Sequence, residues 1–164
     1  MNSLFLYAAY LASRGRECLS PPRNGDPSAS PAQLLATVAV AAAVLTEVAR
    51  AAPPGTQVFR PAGMADVSGW IGIGCEEILL HPDAIARGLG LTYRPPDHLA
   101  AWILTRLFPW APSDIDPWDN VRRATGRAAL PDHERMGPDW HWHCPPLSEW
   151  DGTITKRTSP PARR

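Results

Sequence analysis

Gly72-Ile-Gly-Cys-Glu-Glu-Ile-Leu-Leu-His-Pro-Asp-Ala-Ile-Ala-Arg-Gly-Leu-Gly90 sets a carboxylate, Glu77, and an imidazole, His81, four residues apart. On a helix, positions i and i+4 lie on one face, a turn apart. Helical spacing carries that face through Trp70, Ile73, Gly74 and Ile85, which are apolar or small. Glu77 and His81 are therefore expected to point inward, where a charge is costly unless it is paired or binds a metal. A Glu with a neutral His suits zinc or a similar divalent ion. The plainer alternative is a buried Glu–His hydrogen bond that only holds helices together. Two ligands do not make a zinc site, so spacing leaves both readings open.

The rest of the chain reads as helices separated by Pro and Gly. Residues 2–14 carry Leu4, Tyr7 and Leu11 at helical spacing. Residues 20–30 are rich in Pro, Ser and Gly and read as a loop. Ser30-Pro31 makes a helix start, with Ser as the cap and Pro at the first position. The helix it opens runs to about Ala52, with Leu34 or Leu35, Val38, Ala42 and Leu45 inward, until Pro53-Pro54-Gly55 ends it. A third helix is expected over 66–89, with Gly88 and Gly90 as stop signals and Pro82 as an expected kink. A fourth follows over 97–107, with Leu99 or Ala100, Ile103 and Leu107 inward. Asp116-Pro117 opens a short fifth, closed by Gly126. From Leu130 on, Trp140, Trp142 and Trp150 lie among Pro and Gly, which reads as an extended tail packed on the helices.

With 164 residues, the length fits one domain, taken as residues 1–152, with 153–164 a flexible tail. The 16 basic and 16 acidic residues balance, and no basic block precedes the short tail, so nucleic acid is not the expected partner. Cys18, Cys75 and Cys144 are odd in number and far apart, which implies no disulfide framework and a cytoplasmic setting. No positive residue precedes the apolar run at 4–12, as an export signal would require. The apolar run at 34–46 is about two-thirds of a bilayer span, so no membrane partner is expected.

Other candidates for chemistry are few. His141-Trp-His-Cys144 would set His141 and His143 on one face of an extended strand, either packing the tail or supplying a third metal ligand. Cys75, beside Glu76 and Glu77, reads as core and not as a nucleophile. His98 and His133 fall in Pro- and Asp-flanked turns and are expected in solvent. Arg87 complements the end of the third helix, with a substrate carboxylate as a secondary role.

The stretch Glu77-Ile-Leu-Leu-His81-Pro-Asp-Ala-Ile85-Ala-Arg-Gly-Leu-Gly90 resembles the metal-binding helix of the DinB-like superfamily, in the branch of mycothiol-dependent maleylpyruvate isomerase. Leu107-Phe-Pro-Trp110, Pro117-Trp118, Ala124-Thr-Gly-Arg127, Gly137-Pro-Asp-Trp140 and Glu149-Trp-Asp-Gly152 fit the same order, as does Arg60-Pro-Ala-Gly-Met-Ala-Asp66 upstream. The resemblance implies an all-α, four-helix bundle lacking most of its opening helix, where the family carries its first ligand His; no His precedes His81 here. The family's Asp after the ligand His is matched by Ala84, with Asp83 one position early. It further implies a divalent metal, zinc, held by Glu77 and His81, with His143 or His141 as substitutes for the missing third ligand. Mycothiol is the implied cofactor: the metal would bind its sulfur and lower its pKa to give a thiolate, in a transferase or isomerase acting on a small molecule. The competing expectation is a non-catalytic helical module. An apolar groove lined by Glu77, His81, Ala41 and Ala42 would then bind a partner or form a homodimer.

Overall fold

The computed structural model describes residues 2–16, 28–60 and 63–157; Cys18 and part of the Arg60–Asp66 motif lie outside them. Among the described residues the chain forms helices α1 (Asn2–Ser13), α2 (Pro31–Arg50), α3 (Val67–Gly88), α4 (Asp97–Leu107) and α5 (Pro117–Ala124). Between α2 and α3 lie two short strands, β1 (Gln57–Arg60) and β2 (Gly63–Asp66), paired antiparallel with Val58 opposite Ala65. The fold is mostly helical, with a small two-stranded sheet that the all-α expectation did not include. Four-residue strands leave too little period-2 signal to be read from sequence. Their alternation is nevertheless visible in burial, with Val58 and Ala65 fully inside.

Three of the helices, α2, α3 and α5, begin at a side-chain cap. Ser30 Oγ accepts from the Gln33 N–H at 3.3 Å, while Gln33 Oε1 accepts from the Ser30 N–H at 2.8 Å, so two otherwise orphaned donors are satisfied ahead of Pro31. Asp66 ends β2 and caps α3, accepting from the Gly69 N–H at 2.6 Å. Asp116 accepts from the N–H groups of Trp118 and Asp119, with Pro117 at the first helical position. α3 runs on through Pro82 to Gly88.

α3 is the central element and packs against α1, α2 and α4, while α4 packs against α5. Its glycines permit that closeness. A Cβ at Gly72 would lie 2.8 Å from Leu107 Cδ2, and one at Gly74 2.8 Å from Leu45 Cδ2. Around it, Trp70 stacks on Tyr10 with centroids 5.1 Å apart, and Leu11, Ile73, Leu80, Ile103, Leu107 and Val121 fill the core.

The inward faces agree with expectation on α4, where Ala100, Ile103 and Leu107 are buried and Leu99 is outside. On α2 the expected stripe faces the core through Leu45, with Val38 and Ala42 packed against it and Leu34, of the Leu34/Leu35 alternatives, half-buried. Ala41 and Leu45 are its buried residues, and Leu35 stands 72% exposed. On α3 the buried line is Gly69, Trp70, Gly72, Ile73, Gly74, Glu76, Leu79, Leu80 and Asp83, which includes the expected Trp70, Ile73 and Gly74. Steps of four residues turn 400°, so a line drawn 73–77–81–85 drifts about 40° per step off that face. His81 and Ile85 are exposed as a result, Ile85 to 64%.

The C-terminal segment is laid over β2 and α4 and fixed there by Arg106. Its guanidinium, 5% exposed, pairs with Asp66 and donates to Ser68 Oγ at 2.6 Å and to the carbonyls of His143, Cys144 and Pro145 at 3.0–3.1 Å. Residues 155–157 are tied into this segment. Thr155 O accepts from the His141 N–H, Lys156 bridges to Trp140 and pairs with Asp139, and the Arg157 N–H donates to Asp139 O.

Candidate functional site

A cleft of about 360 Å³ opens between α1, α2 and α3. Leu4, Leu35, Val38, Ile78, Pro82 and Ile85 form its apolar walls, and Ser3, Glu77 and His81 its polar part. Ala41 does not belong to it: that side chain is fully buried in the core.

Glu77 is the hub of the polar part, with its side chain 22% exposed. Its Oε1 accepts from the Tyr7 hydroxyl at 2.9 Å, and its Oε2 lies 2.7 Å from His81 Nε2. Tyr7 reaches it because Tyr7 sits one turn after Ser3 on α1, half-buried beside Trp70, with which it makes a tilted ring contact. Burial first, and then the Glu77 charge, hold the Tyr7 hydroxyl protonated well above its usual range. Tyr7 is therefore a fixed donor to Glu77 across physiological pH. His81 itself is 65% exposed at the cleft mouth, a correction to the inward placement expected for both partners.

The carboxylate that sequence spacing missed is Glu76. It lies on the centre of the buried face, 3% exposed, and burial followed by Glu77 repulsion pushes its pKa up to about 8. Arg127, Trp142 and Arg60 offset part of that. Arg60 in turn stacks over the Trp142 ring at 4.7 Å and lies 3.0 Å from His141 Nε2. Burial and then the Arg60 charge press the His141 pKa down to about 4, so this imidazole is neutral at pH 7.

His141 and His143 are both buried, and each is occupied elsewhere. His141 faces Arg60, and His143 Nε2 lies 3.2 Å from Pro146 O. Asp83, the near match to the family Asp, is buried toward α5, 3.2 Å from Arg87 Nε and 3.7 Å from Arg122 Nε. Arg87 is thus held by Asp83. Cys75 is half-buried and burial raises its thiol pKa, while Cys144 is 1% exposed and pushed up to about 11; neither is a ready thiolate. His98 is exposed, in the first turn of α4 instead of a turn; His133 is half-buried and bridged to Leu130.

Among the described residues no group of three or more His, Cys, Asp or Glu converges on one point. Glu77 and His81 offer two donors, and both oxygens of Glu77 already take protein partners. This donor set does not by itself fit a zinc centre, which takes at least three protein ligands.

α2 is, among the described residues, the one helix long and apolar enough to cross a membrane by length and composition. Its 20 residues exceed the two-thirds span read from sequence. Compared with family models, with curated proteins and with solved structures, the chain has no match.

Proposed function

We propose that the chain is a DinB-like helical domain that works as a binding module, taking an apolar small molecule into the α1–α2–α3 cleft with Glu77 as its polar anchor. The observation that carries this reading is the Tyr7–Glu77–His81 hydrogen-bond chain set at the edge of apolar walls. A cleft of about 360 Å³ is within the size range of small-ligand sites, which are mostly apolar with a few placed polar groups. Glu77 keeps free lone pairs for a ligand donor, since each carboxylate oxygen can accept two hydrogen bonds.

The test is a titration with the neutral apolar probe N-phenyl-1-naphthylamine. Saturable fluorescence enhancement is expected, lost when Val38→Trp fills the cleft and the fold is retained by circular dichroism. No enhancement, or enhancement unchanged by Val38→Trp, would overturn the reading.

The second reading is a metal-dependent, mycothiol-type transferase or isomerase. One observation favours it: Glu77 and His81 are a turn apart on one helix and face the same cleft as Ser3. It needs a third ligand beyond those two, and no catalytic step is assigned to it here.

A further inference from the structure

The polar groups of the α1–α2–α3 cleft form one directed chain. The Tyr7 hydroxyl spends its single proton on Glu77 Oε1 at 2.9 Å, so its oxygen accepts from the Ser3 hydroxyl one turn earlier on α1. The 2.7 Å contact between Glu77 Oε2 and His81 Nε2 is made by the imidazole N–H, since a carboxylate only accepts. Every proton in the chain therefore points toward Glu77. What remains for an incoming molecule is a set of acceptors: the free lone pairs of the Glu77 carboxylate and of Ser3 Oγ.

The charge of the cleft has the matching sign. Among the described residues, its lining includes no Lys, no Arg and no aromatic ring. Arg60, whose charge interacts with Tyr7, is buried against Trp142 and His141 and lines no part of it. Arg87 is held by Asp83. The one basic group on the lining is His81, 65% exposed at the mouth. Beside this acceptor end, Leu35 and Ile85 stand 72% and 64% exposed and offer aliphatic surface to cover.

We infer that the occupant of this cleft is an amphiphilic primary amine, with its ammonium on Glu77 and Ser3 and its hydrocarbon body along Leu35, Val38 and Ile85. The inference rests on the reading of the cleft as a site for an apolar small molecule. Charge and hydrogen-bond polarity select this head group over the others. A carboxylate or phosphate head would meet Glu77 with no Lys or Arg on the lining to offset it. An ether or ketone head would find the hydroxyl protons already committed within the chain. A quaternary ammonium has the charge but no N–H to donate, and no aromatic face lines the cleft to hold it. A hydrogen bond assisted by charge is roughly twice as strong as a neutral one, and solvent weakens it at a carboxylate 22% exposed. The expected advantage of an ammonium over a hydroxyl on the same hydrocarbon is about tenfold in Kd.

The experiment titrates the full chain at pH 7, where a primary amine is protonated, with n-octylamine, octan-1-ol, octanoate and octyltrimethylammonium bromide. The four share one hydrocarbon body, so their differences report the head group. Backbone amide signals of Val38, Glu77 and His81 are followed by NMR. Octylamine is expected to saturate with a Kd about tenfold below those of octanol and octyltrimethylammonium, with octanoate the weakest. Glu77→Gln keeps an acceptor for Tyr7 and should bring octylamine level with octanol, with the fold checked by circular dichroism. Should that variant not fold, the order of the four compounds on the native chain decides alone. Octanol binding as tightly as octylamine, or an amine preference that survives Glu77→Gln, would overturn the inference while N-phenyl-1-naphthylamine binding left the cleft reading standing. Failure of all four compounds together with the naphthylamine probe would overturn both.

Discussion

Replacing Arg106 with methionine keeps the aliphatic volume against Leu107 and Gly72 and deletes the guanidinium. In the native chain that group answers Asp66, Ser68 and three carbonyls of the C-terminal segment. Cys144 O keeps the Asp66 N–H as a donor at 3.1 Å, so the carbonyls left without a donor are those of His143 and Pro145. Each buried acceptor left unmade costs about 1–3 kcal/mol. The Asp66 pair adds less, because its carboxylate is 23% exposed and still caps α3 through the Gly69 N–H. The expected total is a loss of about 3–5 kcal/mol, a large share of the 5–15 kcal/mol typical of a domain. Urea unfolding followed by tryptophan fluorescence measures it, because Trp140, Trp142 and Trp150 lie on the segment that Arg106 holds. A loss below about 1 kcal/mol would refute the claim that this one side chain fixes the tail.

Three further outcomes are expected. The Glu76 pKa, raised from 4.5 to about 8, means the unfolded chain ionises first as pH rises, so this group erodes stability from pH 4.5 upward until the loss levels off above 8. The His141 pKa, lowered from 6.5 to about 4, has the opposite sign, eroding stability as pH falls below 6.5 until the loss levels off below 4. Thermal melts should therefore plateau between pH 4.5 and 6.5 and drop by about 2 kcal/mol toward pH 8, with Glu76→Gln flat over the upper interval; a wild-type drop matched in Glu76→Gln would contradict this. Gly72→Ala should lose about 1–3 kcal/mol in denaturant unfolding, since its Cβ meets Leu107 Cδ2 at 2.8 Å on a packed helix face. Tyr7→Phe should lose about 1 kcal/mol by the same assay and leave His81 the one side chain hydrogen-bonded to Glu77, visible as a shifted His81 imidazole signal by NMR.

Much of the helical architecture was legible because its punctuation is local. Ser30-Pro31, Asp116-Pro117 and Gly88 each act within a turn, so α2, α5 and the end of α3 lie close to where those residues place them. Burial on α3 was not legible at the same precision. Glu76 and Glu77 are neighbours in sequence, and which of them faces the core depends on the angle at which α3 meets α1, α2 and α4. The roles of Tyr7, Arg60 and Arg106 depend on contacts over 70, 81 and 40 residues of chain, which no local pattern carries. The hairpin at 57–66 escaped for a simpler reason: its strands are shorter than the window in which alternation can be told from chance. At the candidate site, the pairing of Glu77 with His81 follows from the i,i+4 geometry of any helix, whereas the exposure of His81 and the distance of His141 and His143 from it do not.

The most direct test of the cleft as a binding module, and not a self-sufficient metal centre, is calorimetric titration of zinc chloride into the purified, metal-stripped chain. Two donors, one of them a carboxylate already engaged by Tyr7 and His81, are predicted to give no stoichiometric zinc binding. One equivalent of tightly bound zinc, abolished by His81→Ala, would contradict the account.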